Sequence, residues 1–180
     1  MLKIEVKGTE SFDDEKQEFV YSESTLLEFE HSLVSLSKWE SKFEKPFLGP
    51  DKKTSEETFG YLEAMCLTPD VPREVFLRLS EDDLKVINSY IEAKMTATTF
   101  SNIKSPAGPR PTITNELIYH WMITFNVPLE CENWHLGRLF TLLTVLNEKN
   151  QPKKKMSRSD AAARQRELNE QRRAKFNSTG

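Results

Sequence analysis

The sequence predicts a mainly α fold: a compact multi-helix body with a small N-terminal antiparallel β-meander and an exposed basic C-terminal helix. Three observations carry this reading. Apolar residues recur every three or four positions between Ser32 and Lys149, in stretches opened by capping residues and closed by prolines. The first thirty residues instead alternate apolar and polar side chains with a period of two. From Ser157 onward the chain is rich in helix formers but holds only Leu168 and Phe176 as large apolar residues. A chain of 180 residues suffices for one domain and a short appendage. The expected division is a single folded domain over 1–151 (meander 1–31, helical body 32–151) and a basic tail over 152–180.

In the meander, Leu2, Ile4 and Val6 share one side of the first strand, Phe19 and Tyr21 one side of the second, and Leu27 and Phe29 one side of the third. Gly8 to Lys16 reads as an acidic turn-like connection, and Ser22-Glu23-Ser24 as a tighter one. Ser32 then caps a helix bearing Leu33, Val34, Leu36, Trp39 and Phe43, which ends before Pro46. Thr54 or Ser55 caps a second, with Phe59, Leu62, Met65 and Cys66 on its stripe and Pro69 as its stop.

Beyond Pro72, Val75, Phe76 and Leu79 form a short apolar turn, and Ser80 with Asp83 opens a helix through Leu84, Ile87, Tyr90 and Ile91. The clustered Thr96, Thr98 and Thr99 take Met95 to Phe100 out of that helix. Ser105 to Pro111 contains three prolines and reads as a surface loop. Thr114 caps a helix with Leu117, Ile118, Trp121, Met122 and Phe125, broken at Pro128. Cys131 to Lys149 is the most apolar helix; Trp134, Leu136, Leu139, Phe140, Leu142, Leu143, Val145 and Leu146 occupy most of its circumference, which places it at the buried centre.

Composition narrows the function. A hydrophobic fraction of 37% together with 11 Phe, 4 Tyr and 3 Trp describes a globular body rather than a disordered one. The N-terminus has no apolar run of secretory type, and Leu139 to Leu146 is far too short to cross a bilayer, so no membrane partner is expected. Cys66 and Cys131 both lie in apolar helical patterns and read as buried thiols of a reducing compartment. Scattered glycines form no phosphate loop, and no nucleophile elbow occurs, so neither an enzyme nor a cofactor is expected. Cys131 and His135 would share one helical face, but the remaining ligands of a metal site are missing from any recognisable spacing.

The net charge of −3 conceals an asymmetry. Residues 152–180 carry nine Lys and Arg against three acidic residues, a net +6; the other 16 basic and 25 acidic residues leave −9 on 1–151. That tail reads as a solvated appendage or as a protein-binding helix. Nucleic acid ranks third, because the tail lacks interleaved aromatics and the acidic body repels phosphate. Candidate partner-binding residues are Trp39 and Trp134, which pair a large ring with a polar neighbour, and the tail's Arg158, Arg164, Arg166, Arg172 and Arg173. Both tryptophans also sit on apolar stripes, where a core role is the plain alternative.

Three segments together resemble a known family: His31-Ser32-Leu33-Val34-Ser35-Leu36-Ser37-Lys38-Trp39-Glu40-Ser41, Met95-Thr96-Ala97-Thr98-Thr99-Phe100, and Trp134-His135-Leu136-Gly137-Arg138-Leu139 running into Asn150 to Ser157. In that order they are similar to the tail assembly chaperones of long-tailed, siphovirus-type bacteriophages, over roughly residues 25 to 180. The resemblance implies a non-enzymatic helper in the host cell cytoplasm that binds the tape measure protein and keeps it soluble while tail tube protein polymerises, with self-association open. The alternative is a structural virion component, such as a head–tail connector or tail completion protein.

Overall fold

Alternation in the N-terminal strands sets their pairing. In the computed structural model, which describes residues 1–8, 10–13, 17–21, 23–100, 112–150 and 158–176, β1 (Leu2–Val6) pairs antiparallel with β4 (Thr25–Phe29). The register sets Ile4 opposite Leu27, with Ile4, Val6, Leu27 and Phe29 buried, while Lys3 and Glu28 pair at 2.6 Å on the other face. Between these strands, β2 (Glu10–Asp13) and β3 (Glu18–Tyr21) form a separate hairpin whose turn holds Gln17 at φ 53°. The expected three-strand meander is thus replaced by a closing β1–β4 pair around an inserted hairpin. Part of the Gly8–Lys16 connection is itself a strand. The reason is apolar matching: β1 and β4 bury complementary rows, whereas Phe19 of β3 stays exposed.

Seven α-helices follow among the described residues. Ser32 caps α1 (Leu33–Phe43) by accepting from the Ser35 amide at 3.2 Å. Thr54 and Glu57 form the capping box of α2 (Ser55–Met65), and Ser80 with Asp83 that of α4 (Glu81–Glu92), beyond the short α3 (Arg73–Leu77). Gly60 lets α2 approach α1: a Cβ there would lie 2.6 Å from the Phe43 ring. The end of α2 also covers β4's outer edge, through Glu30 N donating to Met65 O and Leu67 N to Glu28 O.

Next come α5 (Asn115–Thr124), a 3-10 helix (Leu129–Asn133) and α6 (Leu136–Asn150). Here the expectation of one helix from Cys131 fails. Cys131 lies in the 3-10 helix, and His135 is drawn into a bridge with Ser32 in which Leu136 N donates to His31 O at 2.7 Å. That external acceptor delays the helix until Leu136. Burial on α6 is also one-sided: Leu136, Leu139 and Leu143 are buried, whereas Phe140, Leu142, Val145 and Leu146 keep part of their surface. The loop expected over Ser105–Pro111 lies outside the described residues.

The interior contains two apolar clusters. The first gathers Ile4, Val6, Leu27, Phe29, Trp39, Met65, Phe76 and Ile87 from the sheet and α1–α4; the second gathers Leu33, Leu36, Ile118, Met122, Leu136, Leu139 and Leu143 from α1, α5 and α6. Helix α1 serves both, giving Trp39 to one and Leu33 and Leu36 to the other. The Glu40 carboxylate accepts from Phe47 N and Asn115 N, each at 2.7 Å, and so ties the start of α5 to α1. Residues Met1–Asn147 make one compact unit and Glu148–Gly180 another; the latter contains α7 (Arg158–Phe176).

Candidate functional site

Where the two apolar clusters meet, the chain buries a seam of polar side chains, among them Glu30, His31, Ser35 and His135. Each has a partner, as burial demands. Ser35 Oγ donates to Glu30 O at 2.7 Å, and the Tyr90 hydroxyl donates to Glu30 Oε1 at 2.7 Å. Burial, then that carboxylate, raises the Tyr90 phenol above its ordinary pKa. His135 bonds through Nε2 to Tyr90 O at 2.9 Å and accepts at Nδ1 from Gly137 N at 3.2 Å. Both of its ring nitrogens are thereby engaged, and Cys131 points into the second cluster, so the two residues do not form the shared helical face considered above.

His31 stands at the opening of this seam. Its ring packs edge-on against His135 at 5.1 Å and bonds through Nδ1 to the Tyr61 hydroxyl at 2.6 Å. Burial, reinforced by His135 and opposed by Glu30, lowers its pKa to about 4, so the ring is neutral at pH 7.

His31 is among the residues that line an open cleft of about 880 Å³. One wall is the strap that follows α4, with Thr96, Thr98, Thr99 and Phe100; the other is the first turns of α6, with Leu136, Gly137, Phe140 and Thr141. Leu48 and Ile91 complete its apolar lining, and Glu92 and Lys94 bring opposite charges. Met95 turns the strap at φ 49°, and Gly137 permits its close approach: a Cβ there would lie 3.1 Å from Ala93 O. A second hollow of about 560 Å³, lined by Ile113, Trp121, Phe125, Phe140, Leu143 and Thr144, lies along the same helix. Phe140 belongs to both, so α6 presents a continuous half-buried apolar face.

The sequence-derived candidates fare differently. Trp39 is 2% exposed and donates its indole N–H to Glu57 O at 2.7 Å; it is a core residue with no surface to offer a partner, which corrects its place among the binding candidates. Trp134 is half-buried at the edge of the second cluster, its ring covered by the Arg138 guanidinium at 3.9 Å. On α7, Arg164, Arg166, Arg172 and Arg173 are exposed, and Arg158 is the first helical residue, its side chain outside those described.

His31, Gly137, Phe140 and the threonine strap were not singled out by sequence for binding. The three segments quoted in the sequence analysis contribute His31, then Thr96, Thr98, Thr99 and Phe100, then Leu136 and Gly137, and all of these line the same cleft.

Fold and surface together define a mainly helical protein with a small β-sheet and an open, largely apolar cleft. Among the described residues no helix is long and apolar enough to cross a membrane, and no cluster of His, Cys, Asp and Glu is arranged to hold a metal ion. No family model matches the chain, and no curated protein or solved structure matches it either.

Proposed function

We propose that this protein is a phage tail assembly chaperone that binds the tape measure protein and keeps it soluble in the host cytoplasm during tail assembly. The observation that carries the reading is the convergence of the three family-like segments on one cleft. Segments more than thirty residues apart in sequence meet there. Apolar stretches of a long partner are shielded by just such a face: the α6 surface from Leu136 to Asn147 runs for about 17 Å at 1.5 Å per residue.

The basic tail contributes electrostatically. Its net +6 raises the encounter rate with acidic stretches of the partner, an effect that added salt screens. Replacing Arg164, Arg166, Arg172 and Arg173 by Gln is expected to slow association about tenfold at low salt and to flatten its salt dependence. Stopped-flow measurement at two ionic strengths checks this.

Co-expression with the phage's tape measure protein, followed by solubility and size-exclusion analysis, tests the function itself. The tape measure protein is expected to become soluble and to co-elute. If it stays insoluble while this chain elutes alone, and mass spectrometry finds the chain in purified particles at fixed stoichiometry, the protein is a virion component instead.

A further inference from the structure

The cleft contains an unused hydrogen-bond donor. Tyr61 is 4% exposed, burial holds its phenol protonated, and among the described residues its hydroxyl has one hydrogen-bond partner, His31 Nδ1 at 2.6 Å. A buried phenol with a single partner places its proton there, since leaving it unmade costs about 1–3 kcal/mol. His31 Nδ1 is therefore the acceptor, and the neutral ring carries its proton on Nε2. That N–H has no protein partner among the described residues, although the residue is only 6% exposed and is one of those lining the cleft.

Around this donor the walls are apolar: Leu48, Ile91, Leu136 and Phe140. Thr96, Thr98 and Thr99 of the strap line the cleft as well. The ring is neutral, so it selects no anion, and Lys94 is balanced by Glu92. We infer that the cleft is a peptide site that takes a bulky apolar side chain from an extended segment of a partner protein, with a backbone carbonyl of that segment accepting from His31 Nε2–H. Extended chain offers such carbonyls along its length, whereas those within a helix are already bonded. This inference rests on the chaperone reading for the partner's identity but not for the chemistry. It also divides the face of α6: the cleft reads extended chain, while the hollow at Ile113, Trp121 and Phe125 offers area without a free donor.

The probe is the capped pentapeptide acetyl-Gly-Leu-Phe-Leu-Gly-amide, with acetyl-Gly-Ser-Ser-Ser-Gly-amide as control, titrated into the full chain. Histidine-selective nitrogen NMR should show the Nε2–H tautomer for His31 in the free protein. The first peptide should shift that proton downfield together with the Thr96, Thr98 and Phe140 resonances, and the serine peptide should not. Thr141→Trp fills the cleft and is expected to weaken binding at least tenfold with an unchanged far-ultraviolet circular dichroism spectrum. Thr98→Asp, at an exposed position, serves if that variant does not fold, and is expected to weaken binding through repulsion of the carbonyl. Shifts confined to Ile113, Trp121 and Phe125, equal binding by the variants, or no binding at millimolar peptide would each overturn the inference. The two readings separate on the tape measure protein: if Thr141→Trp still co-elutes with it, the cleft proposal fails and the chaperone stands. If wild type binds the peptide but never the tape measure protein, the reverse holds.

Discussion

The two apolar clusters share α1 yet are finished differently. The first is closed: Phe29, Trp39 and Met65 are essentially inaccessible, Phe47 stacks on Tyr61 at 4.0 Å, and the end of α2 covers the sheet edge. Its surface hollow, at Phe59, Phe76 and Leu77, measures about 400 Å³ and stands alone. The second cluster is closed on one side only. Leu136, Leu139 and Leu143 pack inward while Phe140, on the other side of the same helix, lines two hollows. The contrast teaches that one region holds the fold and the other leaves apolar surface available for work, with α1 and its polar seam joining them.

Substitutions sharpen that division. Trp39→Ala removes the largest buried ring together with its hydrogen bond to the Glu57 carbonyl, and is expected to cost about 3–5 kcal/mol in urea unfolding. A change below about 1 kcal/mol would mean that the first cluster is not the closed one.

The seam gives a pH signature. His31 has a folded pKa of about 4 against an ordinary 6.5, so the unfolded chain binds more protons between these values. The His31 contribution is complete above pH 6.5 and is lost as pH falls toward 4, on the order of 3 kcal/mol in all. Carboxylates titrate in the same range, so the comparison is with His31→Gln, whose stability should fall less steeply in that window. Parallel pH profiles for the two proteins would remove the buried neutral ring from the account.

Glu40 is the tie between regions. Glu40→Ala leaves the Phe47 and Asn115 amides without their acceptor and is expected to cost about 2–3 kcal/mol. The loss should appear as earlier hydrogen exchange in α5 than in α2. Smallest is Phe140→Ser, expected to change folding stability by less than about 1 kcal/mol while weakening binding of the proposed partner, the tape measure protein, at least tenfold. A large folding penalty there would close the second region as firmly as the first.

Much of the fold was legible in the sequence because capping is local chemistry. Ser32, Thr54-Glu57 and Ser80-Asp83 act within one turn, and the helices begin where those residues stand. What sequence missed depended on distant partners. The β1–β4 pairing joins strands nearly twenty residues apart, and the start of α6 is fixed by the His31 carbonyl, more than one hundred residues away. For the same reason Trp39 read first as a core residue and still stood among the binding candidates, since periodicity places it on a stripe without saying what covers that stripe. The cleft was legible only as three familiar segments, their convergence being a property of the tertiary fold.

The most direct test of the division is hydroxyl-radical footprinting of the full chain, free and in the proposed complex with the tape measure protein. The account predicts reduced modification of Trp121, Phe125 and Phe140 in the complex, with Phe59 and Leu77 unchanged. Protection of Phe59 and Leu77 with Trp121, Phe125 and Phe140 still modified would contradict it, and would move the working surface to the region described here as closed.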